Sequence, residues 1–211
     1  MSAPYRSITN LYERDPNNKR LLSTEFSKPE FALLREIVWV FTEKVDRTNT
    51  RVIWDGQSLE VRGRSDDDHA YAKHFPMIRN MFTEAQFAEK FGEKPVTLYG
   101  ELYGNGINKG QKYRDDVGWI MFDAQINGFF LEQNNLQALG DSLSVDVVPV
   151  IQQSSLDNGR LTVKLGLDSQ VATWCGRGKV EAEGLIGKPA VQLFDKFGER
   201  IIVKIKTRDY R

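Results

Sequence analysis

Apolar positions along this chain recur mostly at a spacing of two, in short runs separated by turn residues, and only a few stretches repeat at helical spacing. Thr50-Arg51-Val52-Ile53-Trp54 and Leu59-Glu60-Val61-Arg62-Gly63-Arg64 alternate on either side of Asp55-Gly56, the pattern of a β-hairpin. Trp39 to Asp46 reads as a strand entering a turn, and Val96-Thr97-Leu98-Tyr99 as a strand ahead of the glycine-rich turn Gly104 to Gly110. Trp119 to Ala124 forms another, with Phe129-Phe130-Leu131 pairing back across Asn127-Gly128. Val145 to Val150 reads as a strand whose Pro149 marks an edge. Glu183 to Ile186, Ala190 to Phe194 and Ile201 to Lys206 complete the set.

Helices are fewer. Pro29 opens a short one within residues 28–36. Residues 79–91 carry Phe82, Ala85, Phe87, Ala88 and Phe91 at helical spacing, Thr83 and Gln86 as a capping box, and Gly92 as the stop. Residues 132–140 and 155–166 also read as helical. Residues 1–28 are polar and turn-rich, an entry segment packed on the rest. With no repeat, low-complexity tract or linker, the expectation is one α+β domain over residues 1–211, with 1–35 as its N-terminal entry.

Composition narrows the function classes. The 29 basic and 29 acidic residues cancel, so a nucleic-acid site here must be a local patch and not bulk charge. One cysteine, Cys175, rules out an internal disulfide and fits a reducing compartment; beside only His69 and His74 it does not make a structural zinc site. The N-terminus lacks an apolar signal core, and the longest strong apolar run, Ile37 to Phe41, is too short to span a bilayer. A cytoplasmic protein is expected.

Several charged residues sit in settings suited to phosphate chemistry. A lysine amine attacks phosphorus only when neutral, and burial or neighbouring cations favour that form. Lys204 and Lys206 are two apart on a strand and so share a face. Over a triphosphate they would offset charge developing on the phosphates and hold leaving pyrophosphate in line. Lys44 and Asp46 share a face by the same argument if extended, and a carboxylate there suits a magnesium ion that keeps much of its water. By default, Lys44 alone is a surface lysine, Lys204 and Lys206 the solvent face of an edge strand, and Phe122 a core aromatic.

The order of short motifs changes that reading. Lys44-Val45-Asp46-Arg47-Thr48-Asn49, Leu98-Tyr99-Gly100-Glu101, Trp119-Ile120-Met121-Phe122-Asp123, Glu183-Gly184-Leu185-Ile186 and Val203-Lys204-Ile205-Lys206 follow one another at fitting spacing. Together they resemble the five motifs of the ATP-dependent RNA ligases, within the covalent nucleotidyltransferase superfamily of DNA ligases and mRNA-capping enzymes. The resemblance runs from about residue 36 to 206. It implies an α+β nucleotidyltransferase fold, the ATP-grasp-like adenylation domain of ligases, with antiparallel sheets and flanking helices.

The resemblance also implies roles. Lys44 would be the nucleophile that becomes lysyl-AMP, with Lys204 and Lys206 the catalytic phosphate-binding pair. Nucleotide contacts would come from the backbone at Glu43, from Asn49 and Glu101 at the ribose, from Arg64, and from Phe122 stacked on adenine. Asp46 and Glu183 would face Mg2+ or Mn2+ through water. Asn49 favours RNA ligases, since DNA ligases and capping enzymes usually carry arginine there. Arg47 departs from the pattern, standing where the family has glycine.

The implied reaction has three steps: Lys44 takes AMP from ATP, AMP passes to an RNA 5′-phosphate, and a 3′-hydroxyl attacks the adenylated end. The chain leaves no room for an appended OB domain beside these motifs, which predicts a minimal catalytic module, with a partner protein as one source of further RNA contacts. Competing readings are a non-catalytic nucleotide- or RNA-binding relative and an ATP-dependent DNA-nick ligase. Asp66-Asp67-Asp68 reads as a solvated acidic loop, Gly187-Lys188 lacks P-loop spacing, and Arg177 and Lys179 are secondary candidates for phosphate or RNA.

Overall fold

A computed structural model describes residues 4–18, 20–46, 48–107 and 110–210. In chain order its elements are β1 (Thr9–Asn10), β2 (Tyr12–Arg14), β3 (Leu21–Phe26), α1 (Pro29–Leu33), β4 (Trp39–Glu43), β5 (Thr48–Trp54), β6 (Leu59–Arg62), α2 (Phe75–Arg79), α3 (Glu84–Phe91), β7 (Val96–Gly104), β8 (Val117–Ile126), β9 (Phe129–Phe130), α4 (Gln133–Leu143), β10 (Val150–Ser154), α5 (Leu156–Leu165), α6 (Gln170–Trp174), β11 (Gly184–Pro189) and β12 (Val203–Lys206). They form a mixed α+β fold of mainly antiparallel sheets, organised as two compact units. The first unit comprises Met1–Arg6 and Asp46–Val148, the second Ser7–Val45 and Pro149–Arg211.

The first unit is built on the sheet β6-β5-β7-β8-β9, antiparallel throughout. The β5–β6 hairpin turns through Asp55-Gly56, where Asp55 Oδ1 accepts from the amides of Gln57 and Ser58. Asn127 and Gly128, both at positive φ, close the β8–β9 turn, which is the geometry an Asn-Gly pair favours. One sheet face supplies Val52, Trp54, Leu98, Leu102, Trp119 and Met121 to a core shared with Phe87 and Phe91 of α3 and Leu136 and Leu139 of α4. Helix α3 starts at Glu84, with the Thr83 hydroxyl accepting from Gln86 N as its cap. The expected helix over 79–91 is therefore shorter, and its first residues belong instead to α2 and a turn.

The second unit is built on the sheet β1-β12-β11-β4-β10 and the β2–β3 pair. Its ladder is antiparallel except for β1 beside β12. Trp39, Phe41, Leu185, Val203 and Ile205 form its core with Phe31 of α1 and Leu156 and Val163 of α5. The expected strand 145–150 begins at Val150 instead: Val145, Val147 and Val148 are buried, but only Val147 forms a bridge, to Met121, and the strand starts after Pro149. It is an edge strand. The expected strand 190–194 reduces to one bridge, Phe194 to Arg200. No helix among the described residues is long and apolar enough to cross a membrane.

Two glycines permit close approaches. Gly184, at φ +149°, lets β12 lie against the start of β11, where a Cβ would run into the Ile205 carbonyl. Gly100 carries the Trp119 indole, whose Nε1 donates to Thr50 Oγ1 at 2.8 Å. Gly100→Ala should destabilise the first unit by roughly 1–3 kcal/mol through overpacking. Urea unfolding would read this as a lower midpoint at unchanged m-value; an unchanged midpoint would show that the indole does not rest on this glycine.

Candidate nucleotide and phosphate site

Strand alternation sets the chemistry of the second unit. Thr42, Ile186 and Lys204 lie side by side across β4, β11 and β12, and Gly184 pairs with Lys206 one step along. Lys44 extends β4 by donating its amide to Gly184 O at 2.9 Å. Lys44, Lys204 and Lys206 therefore share a sheet face, while Val203 and Ile205 point to the core. Glu183, just ahead of β11, reaches into this group: one carboxylate oxygen accepts from Lys44 Nζ and the other meets Lys206 Nζ at 3.1 Å. The three side chains are 18%, 13% and 17% exposed for Lys44, Glu183 and Lys206, enclosed enough to strengthen the pairing yet open to a ligand.

One carboxylate among three lysines leaves the cluster positive. Burial, followed by the charges of Lys206 and Lys44, holds the Lys204 ammonium below the ordinary lysine pKa, and Glu183 only partly opposes this. Such a group of cations, sharing one counter-charge, is suited to phosphate oxygens.

In the first unit Asn49 and Glu101 are direct cross-strand partners on β5 and β7. Asn49 Oδ1 is buried with no hydrogen-bond partner among the described residues, an acceptor left for a donor such as a ribose hydroxyl. β8 has a bulge nearby: Tyr99 pairs with Asp123 and Gly100 with Met121, leaving Phe122 as the extra residue. Bulges re-aim side chains, and this one sets the half-buried Phe122 ring edge-on to Tyr5, 4.9 Å between centroids. Tyr5 is fixed in turn by donating to Asp123 Oδ2 at 2.6 Å.

The sequence-derived site residues thus fall in two sets. Lys44, Glu183, Lys204 and Lys206 converge in the second unit; Asn49 and Glu101 pair in the first, with Phe122 on the bulge. Asp46 begins the first unit. Arg64 lies two residues past β6 and not on the strand; its loop is held by Arg51, whose guanidinium donates to Gly63 O and Asp66 Oδ1 at 3.0 and 2.7 Å. Arg47 lies outside the described residues. Glu43 is on the sheet face opposite Lys44, and its carboxylate accepts from Ser169 Oγ at 2.5 Å and from the Gln170 and Val171 amides at 2.9 and 3.1 Å.

Arg51, Tyr5, Asp123 and Ser169 escaped the sequence reading as supporting residues. Arg51 stands at a polar position of the alternating run 50–54, and nothing in that run marks it as buried. Tyr5 and Ser169 carried little signal, since their partners lie 118 and 126 residues away.

A divalent cation was expected at Asp46 and Glu183. Among the described residues no cluster of three or more His, Cys, Asp or Glu could hold a metal ion. Both Glu183 oxygens already face ammonium groups. Mg2+ ordinarily keeps much of its own water, so a carboxylate can act on it without direct ligation.

The fold has close structural counterparts. Two variants of Naegleria gruberi RNA ligase solved with ATP and Mn superpose with TM-scores of 0.62 and 0.61, at 19% and 17% identity, over 97% and 99% of this chain and 57% and 62% of those chains. The same ligase with PPi matches at TM-score 0.59 and 16% identity, over 98% of this chain and 62% of that one. At such identity the likeness shows the fold, and this chain spans about three-fifths of the length of those proteins. No curated protein sequence matches. The RNA ligase family model matches residues 37–206, from ahead of β4 to the end of β12, and the chain therefore belongs to the RNA ligase family.

Proposed function

We propose that this protein is an ATP-dependent RNA ligase that joins 5′-phosphate and 3′-hydroxyl ends through lysyl-AMP on Lys44. The observation that carries the reading is the convergence of Lys44, Lys204 and Lys206 on one sheet face around Glu183. The Lys44 ammonium first gives up a proton, for which the Glu183 carboxylate is the adjacent acceptor. The free amine then attacks the α-phosphorus of ATP. A nitrogen–phosphorus bond forms, the bond from that phosphorus to the bridging oxygen breaks, and pyrophosphate leaves with the electron pair.

Lys204 and Lys206 offset the negative charge that grows on the phosphates. Lys204 is partly desolvated and has Lys206 and Lys44 beside it, so a phosphate of ATP there would offset that repulsion. Asn49 and Glu101 are assigned to the ribose, Phe122 to the adenine face, and Arg64 and the Glu43 backbone to further nucleotide contacts. A magnesium or manganese ion, held by Asp46 and Glu183 through water, would supply additional positive charge at the phosphates. An oxygen of an RNA 5′-phosphate next attacks the lysyl-AMP phosphorus: a phosphate–phosphate linkage forms, the nitrogen–phosphorus bond breaks, and the Lys44 amine leaves and is reprotonated. The 3′-hydroxyl attacks the RNA-side phosphorus, forming the phosphodiester and releasing AMP. Asn49 favours RNA over DNA in this reading.

Two outcomes are expected. Intact-mass spectrometry with ATP and magnesium should show a gain of one AMP, absent in Lys44→Ala. Reversible nucleotide binding without the adduct would sink the ligase reading in favour of a binding protein.

Lys204→Met should slow adduct formation at least about 100-fold while raising the melting temperature near neutral pH. The sign follows from linkage. A lysine whose folded pKa is lowered carries a penalty at pH values below the folded pKa, and that penalty disappears as pH rises through the folded pKa toward the unfolded value of about 10.4. The variant's stability gain over wild type should thus shrink across that alkaline range. A variant no more stable than wild type at neutral pH would show that Lys204 is not under charge strain.

A further inference from the structure

Glu43 and Lys44 are neighbours in sequence with opposite surroundings. Lys44 lies on the open lysine face, whereas Glu43, 1% exposed, faces the interior beside Leu185 and across from Ile205. A buried carboxylate must find hydrogen-bond donors. The donors here are the Ser169 hydroxyl and the Gln170 and Val171 amides at 2.5, 2.9 and 3.1 Å, at the first turn of α6. Ser169 serves twice, since its oxygen also accepts from the Ala172 amide at 2.9 Å as the helix cap. The side chain therefore spans 126 residues of sequence to tie the last residue of β4 to the segment that leads into Glu183.

That segment is tied at further points. The Ser169 amide donates to Val180 O and the Ala182 amide to Leu167 O, at 2.7 and 2.8 Å. The Thr207 amide donates to Glu183 O, and the Thr207 hydroxyl to Ala182 O, each at 2.9 Å. From Glu43 a continuous set of bonds runs through residues 167–183 to the end of β12, the strand of Lys204 and Lys206. Backbone bonds flank the nucleophile as well: Glu43 N donates to Pro149 O at 3.0 Å and Lys44 N to Gly184 O at 2.9 Å.

We propose that the Glu43 carboxylate is a positioning residue, an anchor on the buried sheet face that fixes the pitch of β4 and thereby aims the Lys44 amine, on the opposite face, at its phosphorus target. The claim rests on the reading of Lys44 as the nucleophile and adds to it a role for the Glu43 side chain, separate from the nucleotide contact assigned to its backbone. The anchor works through geometry, because a carboxylate wrapped by three donors on the far face has no reach to the reacting atoms. Glutamine retains an oxygen acceptor for the two amides and a terminal group of the same size toward Ser169. Alanine leaves two helix amides without their acceptor, the Val171 amide in a buried setting.

The test compares Glu43→Ala, Glu43→Gln and Ser169→Ala by single-turnover formation of the AMP adduct across ATP concentrations, with thermal melts and amide hydrogen exchange on the same samples. Glu43→Ala should lower the rate at saturating ATP by about 10- to 100-fold, the scale of a misplacement near 1 Å, with the half-saturating ATP concentration changed less than about threefold. Glu43→Gln should recover most of the rate, and Ser169→Ala should fall between. Peptides covering 40–46 and 170–172 should exchange faster together in Glu43→Ala.

Four results would each overturn the anchor: Glu43→Ala reacting at the wild-type rate; Glu43→Gln as slow as Glu43→Ala, which assigns the role to charge; a loss confined to ATP affinity; or a loss equal to the fraction unfolded. Failure of the parent reading looks different, as wild type then forms no Lys44-dependent adduct. Coupled exchange of the two peptides would in that case still decide whether Glu43 ties them.

Discussion

Like charges have to be gathered here without driving the sheet apart, and the rest of the second unit is arranged around that requirement. Lys44, Lys204 and Lys206 stand on one face, and Glu183 is the carboxylate seen between two of them. One carboxylate among three lysines leaves the compensation incomplete, and burial, followed by the charges of Lys206 and Lys44, holds the Lys204 ammonium below the ordinary lysine pKa. The apolar backing of the same strands supplies the stability: Val203, Ile205, Leu185 and Phe41 are fully or almost fully buried, so the ladder holds although its other face is under charge strain.

The strand period carried much of this in the sequence. Residues two apart share a face, and that places Lys204 with Lys206 before any coordinates are known. The Asp55-Gly56 and Asn127-Gly128 turns and the Thr83 cap were legible for the same reason: each is a local backbone demand that few residue types meet. What stayed hidden was set by distant partners or by length. Helices α2 and α6 are five residues each, too short for a 3.6-residue period to register. Val145 to Val148 alternates like a strand, but its burial is satisfied by α4 and β8, and the ladder waits until after Pro149. Motif order pointed to Glu43 by its neighbourhood, yet the direction of its carboxylate depends on a helix 126 residues away.

The first unit reaches its polar face by a different route. Thr50 and Gly100 on the core face let Trp119 sit flush against the sheet, and the bulge at Phe122 changes the parity of β8 beyond that contact. Without the bulge, a regular ladder would keep Asp123 on the same face as Trp119 and Met121. The shift of one residue puts Asp123 opposite Tyr99, where Tyr5 binds it, and frees Phe122 from a cross-strand partner. A single irregularity thus determines which aromatic ring is held in the protein and which remains half-open.

The two units handle buried polarity differently. In the second, every charged group of the cluster has a counter-charge or a like charge beside it, so its response to phosphate is electrostatic and sensitive to salt. In the first, Asn49 presents a neutral acceptor, buried and without a partner among the described residues, whose unpaired state costs stability until a donor arrives. A phosphate anion suits the former and a hydroxyl donor the latter. The charged set depends on electrostatics and the neutral one on hydrogen-bond direction.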